Sequence, residues 1–324
     1  MSFEMFDRSK LQLKDLNERE HDIDISIMMD ISKKPTPFNN ESIDIIVKRI
    51  KEAKKKGATV MMMMGAHVIR AGCGPWLIKL MKEGYISHFA LNGAGAIHDF
   101  EFAMIGATTE SVAKYISEGQ FGLWKQSGHI NDYINKGVKE GLGFGEALGK
   151  AIWENNFKYR DTSLLAMGYK LHIPITIHVG IGLDFIHQHA NCDGALTGLG
   201  SYRDFLIYAK SIQNLENGVF LNFGSAVTGP EVYLKALSMA RNVAHQNNKV
   251  ISHFTTAVFD LLEIDQNTKD TPKKSDARYY FRPWKTILAR TVSDGGKGYY
   301  IQGTHDLTVS NIAYKLLQGE PTNE

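Results

Sequence analysis

The chain is poor in cysteine, with only Cys73 and Cys192 among 324 residues. That count excludes a disulfide scaffold and a four-cysteine zinc site, and it implies reduced thiols. No apolar run is long enough to span a bilayer. The first ten residues are charged and lack the apolar core of a secretory signal, so a cytoplasmic protein is expected. Excess charge of one sign is also missing: the net charge is +2, which gives no nucleic-acid surface. The local run Lys48, Lys51, Lys54, Lys55 and Lys56 falls on the polar face and end of an expected helix, where lysines suit the C-terminus. There is no P-loop, no G-x-S-x-G elbow and no internal repeat. His187-x-His189 has no positioned third ligand and reads as polar loop, so no metal is expected.

What is present is ordinary globular material, 43% hydrophobic and 22% charged, enough for one large α/β domain or two smaller ones. The most informative stretch is 58–104. Val60–Met64 is a short unbroken apolar run, the mark of a strand buried on both faces. Gly65, Ala66 and His67 follow it. Pro75 opens a helical pattern with Leu77, Ile78, Leu80 and Met81 on one stripe, closed by Gly84. Residues 86–91 form a second apolar strand that runs into Asn92, Gly93, Ala94 and Gly95. Gly93-x-Gly95 is half of a dinucleotide fingerprint, because His98 stands where the third glycine belongs. By itself it reads equally as a tight turn or a nucleotide loop.

Elsewhere, residues 1–40 read as a polar leading arm and 41–56 as an amphipathic helix. Residues 100–116 read as helix. The glycine-rich, aromatic segment 119–145 reads as an excursion from the sheet. Residues 146–171 are largely helical, and 173–180 form a strand. Helix is expected over 204–213, strand over 218–223 and helix over 230–242. Residues 249–254 read as a strand ending in Thr255 and Thr256. Residues 265–276 are a charged insertion with a disordered composition. A strand over 297–301 and a helix over 307–317 close the chain. Successive strand–helix units predict a Rossmann-like, doubly wound, mostly parallel sheet. Its ligand crevice would lie where strands end, along 65–67, 92–95, 182–184, 224–226 and 255–260.

At this point the chain resembles the deoxyhypusine synthase superfamily, from about residue 58 to 317. The best part is ungapped: GAHVIRAG at 65–72, a spacer, then LNGAGAIHDFEFAM at 91–104. Deoxyhypusine synthases carry a Thr-Ser-Asn turn at the first motif and a Thr-Thr-Ala-Gly-Gly turn at the second. HIPITIHVGIGLDFIH at 172–187, FLNFGSAVTGPEV at 220–232, TTAVFDLLE at 255–263 and RPWK at 282–285 are weaker matches in matching order.

The resemblance implies one NAD-binding domain over 41–324 after an arm over 1–40. It also implies a homotetramer with active sites at subunit interfaces, and small polyamines such as spermidine as substrates. The implied reaction is aminoalkyl transfer: NAD takes a hydride from the carbon beside an amine, the imine passes to an acceptor amine, and NADH reduces it. Such a site excludes water and anchors cationic amines on carboxylates. Gly65, Ala66, His67, Asn92, Gly93, Ala94, Gly95, Asp99, Gly224, Ser225, Thr255 and Asp260 fall on family cofactor positions. Gly182 replaces a ribose-binding aspartate, and Asp184 stands two residues on. In the amine pocket, His187 replaces an aspartate, Glu231 falls near a histidine and Glu263 falls on an aspartate.

Trp284 matches a tryptophan that flanks the polyamine. The family's imine-forming lysine follows that tryptophan by two residues; here Lys285 follows by one and Thr286 holds the slot. Each site residue also has an ordinary structural reading. Glu231 suits a helix N-terminus, Glu263 and Asp260 suit solvent, Trp284 suits a core and Lys285 a surface. His305 and Asp306 would reach the nicotinamide or cap the last helix. Homospermidine-type transfer between small polyamines is the first expectation. Authentic protein-lysine modification, an amine dehydrogenase and an inactive NAD-binding module are the alternatives.

Overall fold

The computed structural model describes residues 3–264, 273–276 and 279–318. Most of the charged insertion at 265–276 lies outside the described residues. A two-residue strand β1 (Ile23–Asp24) and helix α1 (Glu41–Lys55) precede the central strand β2 (Val60–Met64), every residue of which is buried. Helix α2 (Ala66–Arg70) starts directly at the end of β2, followed by α3 (Gly74–Lys82), whose second residue is Pro75. Strand β3 (His88–Asn92) runs straight into α4 (Gly93–Ile105). Then come β4 (Ala107–Thr108), α5 (Val112–Ser117), α6 (His129–Lys139), α7 (Phe144–Glu154) and α8 (Leu164–Leu171). Strand β5 (Ile175–His178) precedes α9 (Gly194–Ile212), and β6 (Val219–Phe223) precedes α10 (Thr228–Gln246). Strands β7 (Thr255–Asp260) and β8 (Lys297–Gln302) and helix α11 (His305–Leu317) complete the described chain, with a π-helical turn over Pro283–Ala289 between those strands.

The main sheet has six parallel strands in the order β5-β3-β2-β6-β7-β8. Numbered within the sheet this is 3-2-1-4-5-6, the doubly wound order, and the chain reverses direction between β2 and β6. Alternate residues of β2 serve separate cores. Met62 and Met64 pack under α1, α3, α4 and α11, while Met61 and Met63 pack under α9 and α10. A strand that must be apolar on both sides explains the unbroken run.

Two readings of the sequence are corrected here. The glycine-rich segment 119–145 is not an excursion, because it holds α6, whose Ile130, Ile134 and Val138 are core residues. Its glycines allow α7 to close on α6 and on β5. A methyl on Gly137 would lie 2.4 Å from the Ala147 methyl, and one on Gly145 would lie 1.8 Å from the Ile175 carbonyl. The strand expected at 249–254 instead begins at Thr255, where pairing with Val219 of β6 starts; Ile251 and Phe254 are buried ahead of it without joining the sheet.

The outer edge of β5 is occupied by side chains of α9. Asp204 Oδ2 accepts from Ile177 N at 2.7 Å and from Gly145 N at 2.9 Å. Ser201 Oγ donates to the Ile177 carbonyl at 2.9 Å and accepts from Val179 N at 3.2 Å.

Two histidines are threaded into the sheet. His88 Nδ1 meets Ser211 Oγ at 2.8 Å, its Nε2 meets Thr176 Oγ1 at 2.9 Å, and Thr176 Oγ1 meets His178 Nε2 at 3.0 Å. Burial pushes both imidazoles down to about 3. An unfolded histidine takes a proton near pH 6.5, so below that pH the unfolded chain binds protons the fold excludes. Each residue then removes up to about 1.4 kcal/mol of stability per pH unit, from about pH 6.5 down towards 3. His88→Asn should therefore flatten the pH slope of the unfolding free energy between about pH 6.5 and 4.5 by about one proton, whatever it costs at pH 7. Chemical denaturation across that range measures the slope; identical slopes would mean that His88 titrates freely in the fold.

Candidate functional site

The reversal between β2 and β6 opens a crevice at their carboxyl ends, and the backbone there is unusually close. Gly65 N donates to the Phe223 carbonyl at 2.9 Å. A methyl on Gly65 would stand 2.5 Å from the Gly224 carbonyl oxygen. Gly224 has φ +58°, and a methyl there would stand 2.5 Å from His305 Nε2. Only glycine meets both conditions at 224, the left-handed backbone and the missing side chain. Ser225 Oγ accepts from Gly229 N at 2.8 Å and so turns the chain into α10.

His305 opens α11 beside this crevice. It is buried, and its Nδ1 has no hydrogen-bond partner among the described residues. Burial lowers its pKa, Asp260 opposes the shift, and His67 adds to it. His67 is exposed, so the crevice brings together two imidazoles and one carboxylate. Asp260 ends β7, where Oδ1 accepts from Leu262 N at 3.1 Å.

At the neighbouring strand end, Asn92 is the N-cap of α4, with Oδ1 accepting from Gly95 N at 3.0 Å. Gly93, Ala94 and Gly95 are therefore the first helical turn, and the N–H groups of Gly93 and Ala94, which the cap leaves over, favour an anion. The Asp184 carboxylate lies against that turn: a methyl on Gly93 would stand 2.0 Å from Oδ2. Burial raises the Asp184 carboxyl to about 6. His187 shapes the Asp184 loop, since its Nδ1 accepts from Gly182 N and Asp184 N, both at 3.2 Å.

Three expected site residues are corrected. Asp99 faces away from the crevice, into the α8 N-terminus. Its Oδ1 accepts from Leu164 N at 2.8 Å, and its Oδ2 accepts from Leu165 N at 3.1 Å and from Ser163 Oγ. It is a structural cap. Thr255 begins β7, at the opposite end of the sheet from the crevice. Glu231 already pairs with Lys235 and Arg282, so its charge is not free to anchor an amine.

Glu263 is exposed beyond the end of β7. Trp284 is buried on the α10 side, its ring 5.8 Å from that of Tyr300. Lys285 is buried beside it, with Nζ 3.2 Å from the centre of the Tyr279 ring.

A second concavity, of about 260 Å³, adjoins the first turn of α4. Its walls include Arg19, Arg70, His98, Glu110 and Asp184. The leading arm supplies part of it. Strand β1 pairs antiparallel with β4, and Arg19 reaches in to Glu101 with Nη1–Oε1 2.8 Å and Nη2–Oε2 3.1 Å. Burial would raise the Glu101 carboxyl, but Arg19, Ser127 and Thr108 outweigh it and hold it below its ordinary value. Another cavity, of about 200 Å³, lies at the far end of β5 around Pro174 and Gly168, away from the strand carboxyl ends. Sequence reasoning missed Arg19, Arg70 and Glu101. Arg70 and Glu101 lie inside the two matching motifs, whereas nothing local marks Arg19.

A family model for the C-terminal Rossmann-fold domain of ArgZ-like arginine dihydrolases matches residues 44–147. That is about a third of the chain. No curated protein matches the sequence. Among solved structures, cyanobacterial ArgZ, an arginine dihydrolase of the ornithine–ammonia cycle, is 16% identical with a TM-score of 0.50, covering 87% of this chain and 33% of its own. AgrE in a ternary complex with ornithine and NAD+ is 13% identical with a TM-score of 0.47, covering 85% and 32%. A candidate deoxyhypusine synthase from Entamoeba histolytica is 9% identical with a TM-score of 0.43, covering 85% and 87%. The chain thus spans about a third of the length of ArgZ and AgrE. The likeness to ArgZ is one of fold, and it agrees with the Rossmann topology.

Two outcomes test the site's construction. Gly224→Ala should lose at least about 1–2 kcal/mol from the left-handed backbone alone, seen as a lower melting temperature, and more because His305 must move. Arg19→Met should cost about 3–5 kcal/mol in chemical denaturation, since it strands a buried carboxylate, while adding Glu101→Leu should recover much of that loss. An additive double variant would mean the two side chains are uncoupled.

Proposed function

We propose that this protein is an NAD-dependent enzyme acting on carbon–nitrogen bonds, and that its reaction is aminoalkyl transfer between small amines. The observation that carries the first part is the switch point itself. Gly65 and Gly224 let the carboxyl ends of β2 and β6 close on each other with no side chain between them, beside the helix starts that follow β2 and β3, which is where a sheet of this order takes a pyrophosphate. In this reading His67, Asn92, Gly93, Ala94 and Gly95 hold the phosphates, and Asp260 faces a ribose. NAD would supply a hydride acceptor for the carbon beside the amine, and would later return that hydride.

The chain's own groups would do the rest. Oxidation leaves a proton on the substrate nitrogen to be removed, and His305, buried and neutral with a free Nδ1, is suited to receive it. The acceptor amine then adds to the imine carbon and the first amine departs with the proton. Lys285 is the candidate for a covalent relay, with its amine adding to the same carbon before the acceptor does. Its support is its position, buried beside Trp284 with Nζ over the Tyr279 ring. Trp284 would flank the alkyl chain, and Glu263 and His187 the cationic end. A polyamine donor and an interface-built homotetramer belong to the same reading.

Calorimetry with NAD should give a dissociation constant in the micromolar range, with a matching rise in melting temperature by mass action. Incubation with NAD and spermidine, putrescine and agmatine should yield a new secondary amine, with no lasting NADH absorbance. Persistent NADH with an aldehyde product would identify a dehydrogenase. Borohydride added during turnover should trap an adduct on Lys285, and Lys285→Ala should slow transfer by at least about a hundredfold while sparing hydride removal. An adduct elsewhere, or unimpaired transfer, would leave direct attack of one amine on the other's imine.

A further inference from the structure

The cavity beside α4 carries charge that the fold does not use. Of its charged walls, Arg19 and Glu101 neutralise each other. Glu110 spends its oxygens on Gly122 N, at 2.7 Å, and on Trp124 Nε1. His98 is tied to Thr108 Oγ1 at 2.8 Å, and burial pushes it down to about 4, so it is neutral at physiological pH. Two groups remain. Arg70, at the last turn of α2, has no hydrogen-bond or ion-pair partner among the described residues, and its Nε is buried. Asp184, also on the cavity wall, is half-buried, accepts from the His187 backbone and pairs with no cation among the described residues. Asp22 adds a further carboxylate at the solvent-exposed mouth.

A guanidinium whose Nε cannot reach water is costly unless an acceptor meets it. A planar fork of N–H donors is best met by a carboxylate. A carboxylate on a cavity wall with no cation beside it is best met by an ammonium. The cavity's size suits a small molecule rather than a dinucleotide. We infer that this cavity binds a small amine that also bears a carboxylate, such as a free α-amino acid, with the carboxylate on Arg70 and the ammonium on Asp184. This differs from a polyamine pocket, which needs carboxylates alone and gains nothing from an unpaired arginine. The inference rests on the proposed function for one point only, that the bound amine is one of the two reactants. The binding is independent of it.

The test uses the whole chain and two matched pairs, lysine with cadaverine and ornithine with putrescine, titrated calorimetrically with and without saturating NAD. In each pair the carboxylate-bearing member should bind at least about tenfold more tightly, one bidentate charge-assisted contact being sufficient for that ratio. Arg70→Gln should abolish the preference, Arg70→Lys should keep part of it, and Asp184→Asn should weaken both members of a pair. NAD affinity should be the same in the wild type and in Arg70→Gln. Diamines binding as tightly as the amino acids, no binding by any of the four, or a preference that survives Arg70→Gln would each overturn the inference. So would a loss of NAD affinity in Arg70→Gln, which would assign the guanidinium to a phosphate. A wild type that prefers the amino acids yet ignores NAD would remove the proposed function and leave this site standing.

Discussion

The contact between two glycine backbones at the carboxyl ends of β2 and β6 sets the terms for the rest of the molecule. Gly65 and Gly224 meet where the sheet reverses its winding, with a distance at which no β-carbon fits. The contact requires β2 and β6 to be hydrogen-bonded neighbours over their whole length, Val60 to Met64 against Val219 to Phe223. It also brings α2, α10 and α11 to one place. His305 can lie over Gly224 only because nothing projects there. A crevice of this kind is bare backbone and helix ends, which suits a charged, extended ligand better than an apolar one.

The second concavity is built by different means. It depends on segments far apart in sequence: the arm through Arg19, α2 through Arg70, α4 through His98, and the loop after β5 through Asp184. The buried Arg19–Glu101 pair fixes the arm, and Thr108 and Ser127 complete its hydrogen bonding. Such a pair contributes less to net stability than to position, because desolvation offsets most of the attraction. Its value here is that one wall of the cavity stays where it is.

Much of the fold was legible in the residues. The unbroken VMMMM run, the Pro75 helix start and the small residues after each strand follow directly from burial on two faces and from helix capping, and the structure has them where expected. What misled was glycine. Gly137 and Gly145 read as loop formers, yet they serve helix contacts, and composition cannot separate those uses. Thr255 was set at the wrong end of its strand because Val250, Ile251 and Phe254, residue types that favour strands, stand just ahead of it. Asp99 lies one turn beyond the Gly93–Gly95 motif, but its carboxylate is spent on the start of α8. Arg19 was invisible, since a long-range ion pair leaves no periodic trace.

The way α9 closes the rim of the sheet has a further consequence. Asp204 and Ser201 occupy the outward N–H and carbonyl of Ile177 in β5 and the N–H of Val179 just beyond it, groups by which a foreign strand would be recruited. A foreign strand cannot pair with β5 at Ile177, which opposes amyloid-like growth and strand exchange between copies on that side. Any assembly on that flank must therefore be made by helices, whose contacts can be remodelled by surface substitution without disturbing the backbone ladder that shapes the crevice.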